Sequence, residues 1–406
     1  MGDFEVIEGN VTSPKGFLAS GVFAGIKKAK KDFALIYSEK KANVAASFTT
    51  NKVKAAPVLL DMEKIKNGEA QAIVINSGNA NACTGKRGYE DACATADTAA
   101  KHLNIDSDDV LVCSTGVIGV TLPMDKVAKG IELAVQSLSR DGGKEAAKAI
   151  LTTDTFSKEV AVKFAIKGVE VTIGGIAKGS GMISPNMATM LSFITTDANI
   201  TKNALNRALK DTVKRSYNMI SVDGDMSTND TVIILANGEA GNPVIEDGTD
   251  DYEIFYKALE YVNKNLAKQI AKDGEGATKF MEVNVLHALT EDDAIIAAKA
   301  TVNSSLVKTA IFGEDANWGR IIAAVGYSGA DFIPEKTDIY LKSKIGEIKV
   351  CENGGYIQFD EDFAKEILKE KDISVIIDLN AGKYNAVAYG CDLSYDYVKI
   401  NGSYRS

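Results

Sequence analysis

The chain has 406 residues, of which 45% are hydrophobic and 25% are charged, and its formal net charge is −9. This length allows two or three domain-sized units or one large interleaved unit, with enough apolar residues for a sizeable core. The acidic balance, without a basic run that interleaves with aromatic residues, excludes a general affinity for nucleic acid or an anionic membrane surface. No stretch of about 18 apolar residues occurs, so we expect no membrane-spanning helix.

The cysteines are dispersed along the chain, and no two of them form a Cys-x-x-Cys pair. This spacing argues against a zinc site and against a disulfide framework. The N-terminus is acidic and lacks a hydrophobic signal region. We therefore expect a protein of the reducing cytoplasm. The five positions are Cys83, Cys93, Cys113, Cys351 and Cys391.

Histidine is scarce, because His102 and His287 are the only two in the sequence. The first closes an apparent helix and the second lies on an apolar strand, so we expect structural roles for both. A catalytic base near neutral pH would then come from another group. A free α-amine, with a pKa of about 7.7–8.0, is one candidate.

In the first 151 residues, short apolar runs rich in β-branched or aromatic side chains predict strands over 22–26, 33–37, 44–48, 72–75 and 110–113. Ala-rich and Lys-rich segments predict helices over 88–103, 123–138 and 146–151. The third of the predicted helices ends just before the polar segment 152–155.

In the remainder, we expect a hairpin over 164–173, a strand over 190–195 and a helix over 202–215. The clearest helix covers 250–272, with apolar residues at spacings of three and four and a Gly-rich stop that places Glu275 on a loop. An apolar strand over 397–400 precedes the tail. Because no Pro-rich linker interrupts this alternation, the sequence predicts a single interleaved α/β unit.

A Gly-rich stretch at 174–191 is the centre of the functional argument. Its glycines can adopt backbone angles that other residues avoid, and Ser184-Pro185-Asn186 is a turn signal. The turn delivers Ala188 and Thr189 to the start of a buried strand. The four glycines are Gly174, Gly175, Gly179 and Gly181.

Thr189 is a candidate nucleophile of the N-terminal type. If the bond between Ala188 and Thr189 breaks, Thr189 has both a hydroxyl nucleophile and a free α-amine as its base. An ordinary hairpin and a phosphate-cradling loop remain open as alternatives. No Walker pattern Gly-x-x-x-x-Gly-Lys-Ser/Thr is present, which counts against the phosphate loop.

Thr115 and Gly116 follow a buried strand and are candidates for an oxyanion hole, since Gly116 lets a backbone amide approach a ligand closely. A plain strand-to-helix turn is the alternative. Lys178 is a candidate partner for a substrate carboxylate, and the alternative is a solvated surface lysine.

The segment Lys-Gly-Ser-Gly-Met-Ile-Ser-Pro-Asn-Met-Ala-Thr-Met-Leu at 178–191 resembles the self-processing site of the ornithine acetyltransferase (glutamate N-acetyltransferase) family of arginine biosynthesis. Further blocks are similar to the same family in the same order, so the resemblance covers nearly the whole chain. They lie at 50–57, 76–85, 114–119, 152–155, 221–225 and 312–320.

The resemblance implies a layered α-β-β-α sandwich similar to N-terminal-nucleophile folds. It implies self-cleavage between Ala188 and Thr189, into an α chain of 1–188 and a β chain of 189–406. It assigns Thr115 and Gly116 to the oxyanion hole. The residues that it places at the substrate are Thr152 (chosen over its neighbour Thr153), Lys178, Thr189, Glu275, Asn401 and Ser406.

The implied reaction moves an acetyl group from N-acetylornithine to glutamate through an acetyl-enzyme on Thr189. It requires no metal or organic cofactor. Whether acetyl-CoA is a further donor stays open, and the family suggests a heterotetramer of two α and two β chains. One rival is an aminopeptidase or amidase on the same scaffold. Another is a non-catalytic protein that binds a phosphate ligand.

Overall fold

The computed structural model describes residues 4–184 and 190–403. These residues form two units, each assembled from separate segments of the chain. The first holds 4–179, 190–217 and 226–266, and the second holds 180–184, 218–225 and 267–403. The expectation of a single unit is therefore wrong. The chain passes from one unit to the other several times, so no linker marks the division in the sequence.

The strands of the first unit are β1 (Glu5–Ile7), β2 (Phe17–Val22), β3 (Phe33–Phe48), β4 (Glu69–Asn79), β5 (Val110–Val117), β6 (Lys158–Ile166), β7 (Val169–Lys178), β8 (Leu191–Thr196) and β10 (Thr231–Ala236). Those of the second are β9 (Ile220–Ser221), β11 (Phe280–Ala288), β12 (Asp338–Ser343), β13 (Gly346–Glu352), β14 (Gly355–Tyr356), β15 (Asp372–Asp378) and β16 (Tyr384–Cys391).

The helices of the first unit are α1 (Ala56–Lys64), α2 (Gly85–Leu103), α3 (Met124–Gln136), α4 (Gly143–Ala149) and α5 (Lys202–Lys214). Helix α6 (Asp250–Lys272) belongs partly to each unit. The second unit contains α7 (Glu291–Asn303), α8 (Ser305–Phe312), α9 (Trp318–Gly326), α10 (Glu361–Leu368) and α11 (Tyr395–Gly402).

The described strands of the first unit form one sheet in the order β1-β6-β7-β8-β10-β3-β4-β5, and β2 pairs with β3 outside this path. Strand β8 is antiparallel to β7 and parallel to β10, and β10 is antiparallel to β3. Strands β4 and β5 run parallel, so their carboxyl ends meet at the same edge. That edge carries Thr115 and Gly116.

Both faces of this sheet are buried, as alternate residues of β3 demonstrate. Phe33 and Leu35 pack in one core with side chains of α2 and α3, whereas Ala34 and Ile36 pack in another with α4. Full burial of an aliphatic or aromatic side chain contributes about 1.5–3 kcal/mol, so the two cores hold the strands in register.

The second unit has a sheet in the order β14-β13-β12-β15-β11-β16-β9 among the described strands. Helices α7, α8, α9 and α10 bury apolar side chains in one core with this sheet. The predicted α/β class is thus confirmed, with one sheet and its own helices in each unit.

Several predicted elements are confirmed with small shifts. The helix predicted over 250–272 is α6, and the hairpin is β6 and β7 joined at Lys167 and Gly168. The strands predicted over 33–37 and 44–48 form the single long strand β3. His102 lies in the last turn of α2, and His287 lies in β11 with Nδ1 2.8 Å from Asp378 Oδ1.

The strand predicted over 22–26 is wrong, because β2 ends at Val22. Beyond it the backbone turns around the fully buried carboxylate of Asp32. Ala24 N donates to Asp32 Oδ1 at 2.6 Å, and Lys27 N donates to Oδ2 at 2.8 Å. These two backbone N–H groups thus bond to a side chain and not to a neighbouring strand.

The strand predicted over 397–400 is also wrong, because these residues lie in α11. Ser394 caps the helix by accepting a hydrogen bond from Asp396 N. The apolar residues suggested a buried strand, yet Val398 is 69% exposed and α11 has no buried residue. Because this apolar run is exposed, no packing against a sheet stabilises an extended backbone there.

Candidate active site

Thr115 and Gly116 lie at the carboxyl end of β5, beside the end of β4. Thr115 is buried, and Gly116 has φ +137°, a conformation that favours glycine. A Cβ at position 116 would also collide with the backbone of Gly78, its partner on β4. The strand end is fixed from the side because Ser114 Oγ donates to Asn76 Oδ1 at 2.6 Å. Only glycine fits at position 116.

Lys178 is the last residue of β7 and is 2% exposed. Its Nζ lies 3.5 Å from Thr115 Oγ1, so the structure brings together two of the predicted site residues. The alternative of a solvated surface lysine is excluded by this burial. Lys178 therefore places a buried cation beside the candidate oxyanion group.

Asp154 connects this cation to the backbone around it, and its place within the block at 152–155 was the one sequence signal for it. One oxygen accepts from Lys158 Nζ at 2.8 Å and from Gly179 N at 2.7 Å, and the other lies 3.9 Å from Lys178 Nζ. Burial alone would raise the pKa of Asp154, but the charges of Lys178 and Lys158 outweigh it and hold that pKa well below its usual range. The carboxylate is therefore ionised.

Thr152 is tied to the same carboxylate, since its backbone N donates to Asp154 Oδ2 at 3.0 Å. Thr152 is half-buried, as is its neighbour Thr153. The structure thus brings Thr152 to the cluster of Thr115, Lys178 and Asp154.

The glycines at 174–181 serve a different purpose from the one that the sequence suggested. Gly174 and Gly175 continue β7, and none of the four has a positive φ. Two of them are needed for space, because a Cβ at Gly174 would collide with Asn10 O and one at Gly181 with the Glu275 carboxylate. The strained residue is Met182 instead, with φ +56°.

Ala188 and Thr189 lie outside the described residues, as do Ser406 and the turn residues Pro185 and Asn186. The first described residue after the gap, Met190, donates its N–H to Asp230 Oδ1 at 3.0 Å. Burial raises the pKa of Asp230 well above its usual range, against the Met190 N–H, the Thr49 hydroxyl and the Lys178 charge. A buried carboxyl group thus holds the start of β8.

In the second unit, Glu275 lies on the predicted loop after α6 and is 7% exposed. Its N–H donates to Ser180 O at 2.9 Å, and Asn401 Nδ2 donates to its Oε2 at 2.8 Å. The structure therefore brings Glu275 and Asn401 together. Asn401 lies in α11 and not in a tail after a strand, as the sequence had predicted.

The Asp223 carboxylate holds the backbone just before residues 185–189, which lie outside the described ranges. Its carboxylate accepts from Met182 N at 2.6 Å and from Ile183 N at 2.9 Å, and Tyr397 Oη lies at 3.2 Å. Burial raises the pKa of Asp223, although the Met182, Asp225 and Ile183 N–H groups counteract it. Its place within the acidic block at 221–225 was the one sequence signal for this residue.

Among residues 4–184 and 190–403, no helix is long and apolar enough to span a membrane, and no group of three or more His, Cys, Asp or Glu side chains could hold a metal ion. The first unit offers a hydroxyl, a Gly amide and a buried cation. The second offers a carboxylate with an amide partner. The groups of the first unit can stabilise an oxyanion or bind a carboxylate, and those of the second can bind an ammonium group.

Comparison with known proteins identifies the family. The sequence model of the ArgJ family matches residues 18–406. The arginine biosynthesis bifunctional protein ArgJ of Caldanaerobacter subterraneus subsp. tengcongensis is 68% identical over 402 residues, which cover 99% of this chain and 100% of that protein. ArgJ 1 of Clostridium acetobutylicum is 56% identical over 398 residues, with 98% of each chain covered.

A crystal structure of ArgJ from Bacillus halodurans superposes with a TM-score of 0.51 at 47% identity, covering 53% of this chain and 99% of that one. Fold and relatives define an acyltransferase of arginine biosynthesis. The chain belongs to the ArgJ family. The alternative of an aminopeptidase on the same scaffold is not favoured by these relatives.

Proposed function

We propose that this chain is a self-processing glutamate N-acetyltransferase. It takes the acetyl group of N-acetylornithine on Thr189 and delivers it to glutamate, which gives ornithine and N-acetylglutamate. The observation that carries the proposal is the buried Lys178 Nζ at 3.5 Å from Thr115 Oγ1, beside Gly116 at the carboxyl end of β5. The membership of the ArgJ family supports it.

Self-processing comes first and yields the chains 1–188 and 189–406. The Thr189 hydroxyl attacks the Ala188 carbonyl, the peptide nitrogen becomes an amine, and water hydrolyses the resulting ester. The hydrogen bonds of Asp230 to Met190 N and of Asp223 to Met182 N support this step, because each fixes backbone close in sequence to the bond.

In acetyl transfer, the Thr189 oxygen attacks the acetyl carbon of N-acetylornithine while the new α-amine takes the hydroxyl proton. Thr115 and Gly116 donate hydrogen bonds to the tetrahedral oxyanion. The proton passes to the departing ornithine nitrogen and leaves an acetyl ester on Thr189. The glutamate amine then attacks this ester, and the Thr189 oxygen leaves as the alcohol.

Substrate recognition follows from charge. Lys178 binds the α-carboxylate that donor and acceptor share, and Thr152 lies next to it in this scheme. In the second unit, Glu275, which accepts a hydrogen bond from Asn401, binds an ammonium group, and Ser406 is a further substrate residue of the proposal. Correct placement of an amine can contribute roughly 7–11 kcal/mol to a barrier, which favours glutamate over water as the acceptor.

The remaining assignments are part of the same proposal. Several relatives are named bifunctional, and acetyl-CoA as a second acetyl donor fits that name. Two α and two β chains form the assembly, and the enzyme acts in the cytoplasm.

Mass spectrometry tests the transferase. Purified protein is expected to give two fragments, with the second starting at Thr189, whereas Thr189→Ala stays whole. N-acetylornithine alone should add one acetyl group to the second fragment, and glutamate should remove it as N-acetylglutamate. Release of acetate at the same rate with and without glutamate would show a hydrolase instead.

A further inference from the structure

The loop between β2 and β3 holds one lysine in a fixed position. Lys27 N donates to the buried Asp32 carboxylate at 2.8 Å, and Ala24 N donates to the same carboxylate at 2.6 Å. A buried acceptor that binds two loop amides stabilises one loop conformation. The backbone of Lys27 is thus set by the core, although its side chain is only half-buried.

The Lys27 side chain runs along the candidate active site of the first unit. Its Cγ lies so close to Gly78 that a Cβ there would approach it to 2.8 Å, and Gly78 pairs with Gly116. Its Nζ donates to Leu151 O at 2.9 Å, the residue before Thr152. Lys27 therefore reaches from the oxyanion candidate to the Thr152 segment.

Electrostatics link Lys27 to the same cluster. Burial lowers its pKa to about 8, with Lys30 and Lys178 acting in the same direction and Asp32 and Asp154 opposing. An ammonium has three N–H bonds, and Leu151 O accepts one of them. A second lysine thus stands within electrostatic reach of Lys178, with donors that a substrate can use.

Donor and acceptor differ in the charge at the end of their side chains. N-acetylornithine carries one carboxylate and a terminal ammonium, whereas glutamate carries two carboxylates. Lys178 accounts for the carboxylate that both share. The second carboxylate of glutamate needs another cation, and a terminal ammonium needs that cation to be absent or neutral.

We propose that Lys27 binds the side-chain carboxylate of the acceptor glutamate and so selects the acceptor over neutral amino acids. This inference rests on the proposed function. A lysine with a pKa near 8 suits both half-reactions, because it can lose its proton beside a cationic donor and regain it for an anionic acceptor.

The test compares Lys27→Met with wild type on glutamate and glutamine, which differ in charge but hardly in shape. Because a hydrogen bond between charged groups is a strong contact, kcat/KM for glutamate should fall about 10- to 100-fold, toward the value for glutamine. The glutamine value and KM for N-acetylornithine should change about twofold or less. Lys27→Arg should keep the preference for glutamate.

Lys28→Met is the matched control, because Lys28 is its exposed neighbour, and it should behave as wild type. A Lys27→Met enzyme that still prefers glutamate as strongly as wild type overturns the assignment. Equal losses for glutamate and N-acetylornithine also overturn it, because Lys27 would then serve the shared carboxylate.

The two levels of the proposal fail separately. If wild type forms no acetyl-enzyme from N-acetylornithine, the proposed function is wrong. If wild type forms it and transfers the acetyl group to glutamate, but Lys27→Met leaves the glutamate preference intact, only the role of Lys27 is wrong. A melting curve for each variant separates loss of binding from loss of folding.

Discussion

Thr115 is the side chain on which the oxyanion assignment can be tested. Thr115→Ala removes one donor, and loss of such a donor lowers kcat about 10²- to 10³-fold. KM should change little, because the contact strengthens only in the transition state. Steady-state kinetics with N-acetylornithine and glutamate measure both constants. Thr98→Ala, which removes a helix hydroxyl, should match wild type. A change in KM alone would place Thr115 in ground-state binding.

The ion pair of Asp154 and Lys158 predicts how stability depends on pH. The pKa of Asp154 is lower in the folded than in the unfolded protein. Its ionised carboxylate therefore contributes fully to the free energy of unfolding above the unfolded pKa of about 3.9, and this contribution is lost as the pH falls below that value. Urea unfolding between pH 7 and pH 3 should therefore show a smaller pH-dependent loss for Asp154→Asn than for wild type. An unchanged pH dependence would mean that Asp154 does not carry it.

Lys158→Met isolates the cost of breaking this pair. Both side chains are fully buried, and removal of one partner of a buried pair costs about 3–5 kcal/mol of unfolding free energy. Lys163→Met on the same strand breaks an exposed pair with Glu170 and should cost about 1 kcal/mol or less. Urea unfolding at pH 7 compares the two, and equal costs would contradict the buried-pair account.

At the scale of elements, α11 has a role that its packing alone does not explain. It buries no side chain, yet Asn401 Nδ2 donates to Glu275 Oε2 at 2.8 Å. Deletion of 401–406 should thus lower kcat/KM about tenfold or more while the melting temperature stays nearly the same. Asn401→Ala should follow the deletion, and Lys399→Ala on the same helix should not. A fully active truncation would make the tail a solvated end.

Sequence patterns predicted the elements that local signals define. Helix α6 has a long apolar face and a Gly stop, and the β6–β7 hairpin turns at Lys167 and Gly168. Thr115 and Lys178 were candidates from their sequence context, and the resemblance to a family assigned them and Glu275 to the site. The burial of these three residues could not be read from spacing. Asp154, Asp223 and Lys27 were missed as site residues because their contacts join residues far apart in the sequence. The α11 error had the opposite cause, since an apolar run was taken as evidence of burial.

At the scale of the whole molecule, the sheet predicts what happens to the two fragments. Strands β8 and β10 follow the proposed cut, yet they lie between β7 and β3, which precede it. The fragments are therefore expected to remain together in equal amounts on a native sizing column and to separate only in denaturant. Uncleaved Thr189→Ala should elute at the same position. Native separation of the fragments would contradict this strand order.

The same strand order sets a sequence of events on the ribosome. Strand β3 is made early, but its neighbour β10 ends at Ala236, so nearly 200 residues must be synthesised before these two strands can pair. Until then β8 and β3, the two neighbours of β10, each present an open edge to other nascent chains. Met190 at the start of β8 donates to Asp230, the residue just before β10, so this contact also forms only after that part of the chain is made. We therefore expect the proposed cleavage to follow completion of the central sheet, and a chain that stalls before residue 236 to stay uncut and prone to aggregate.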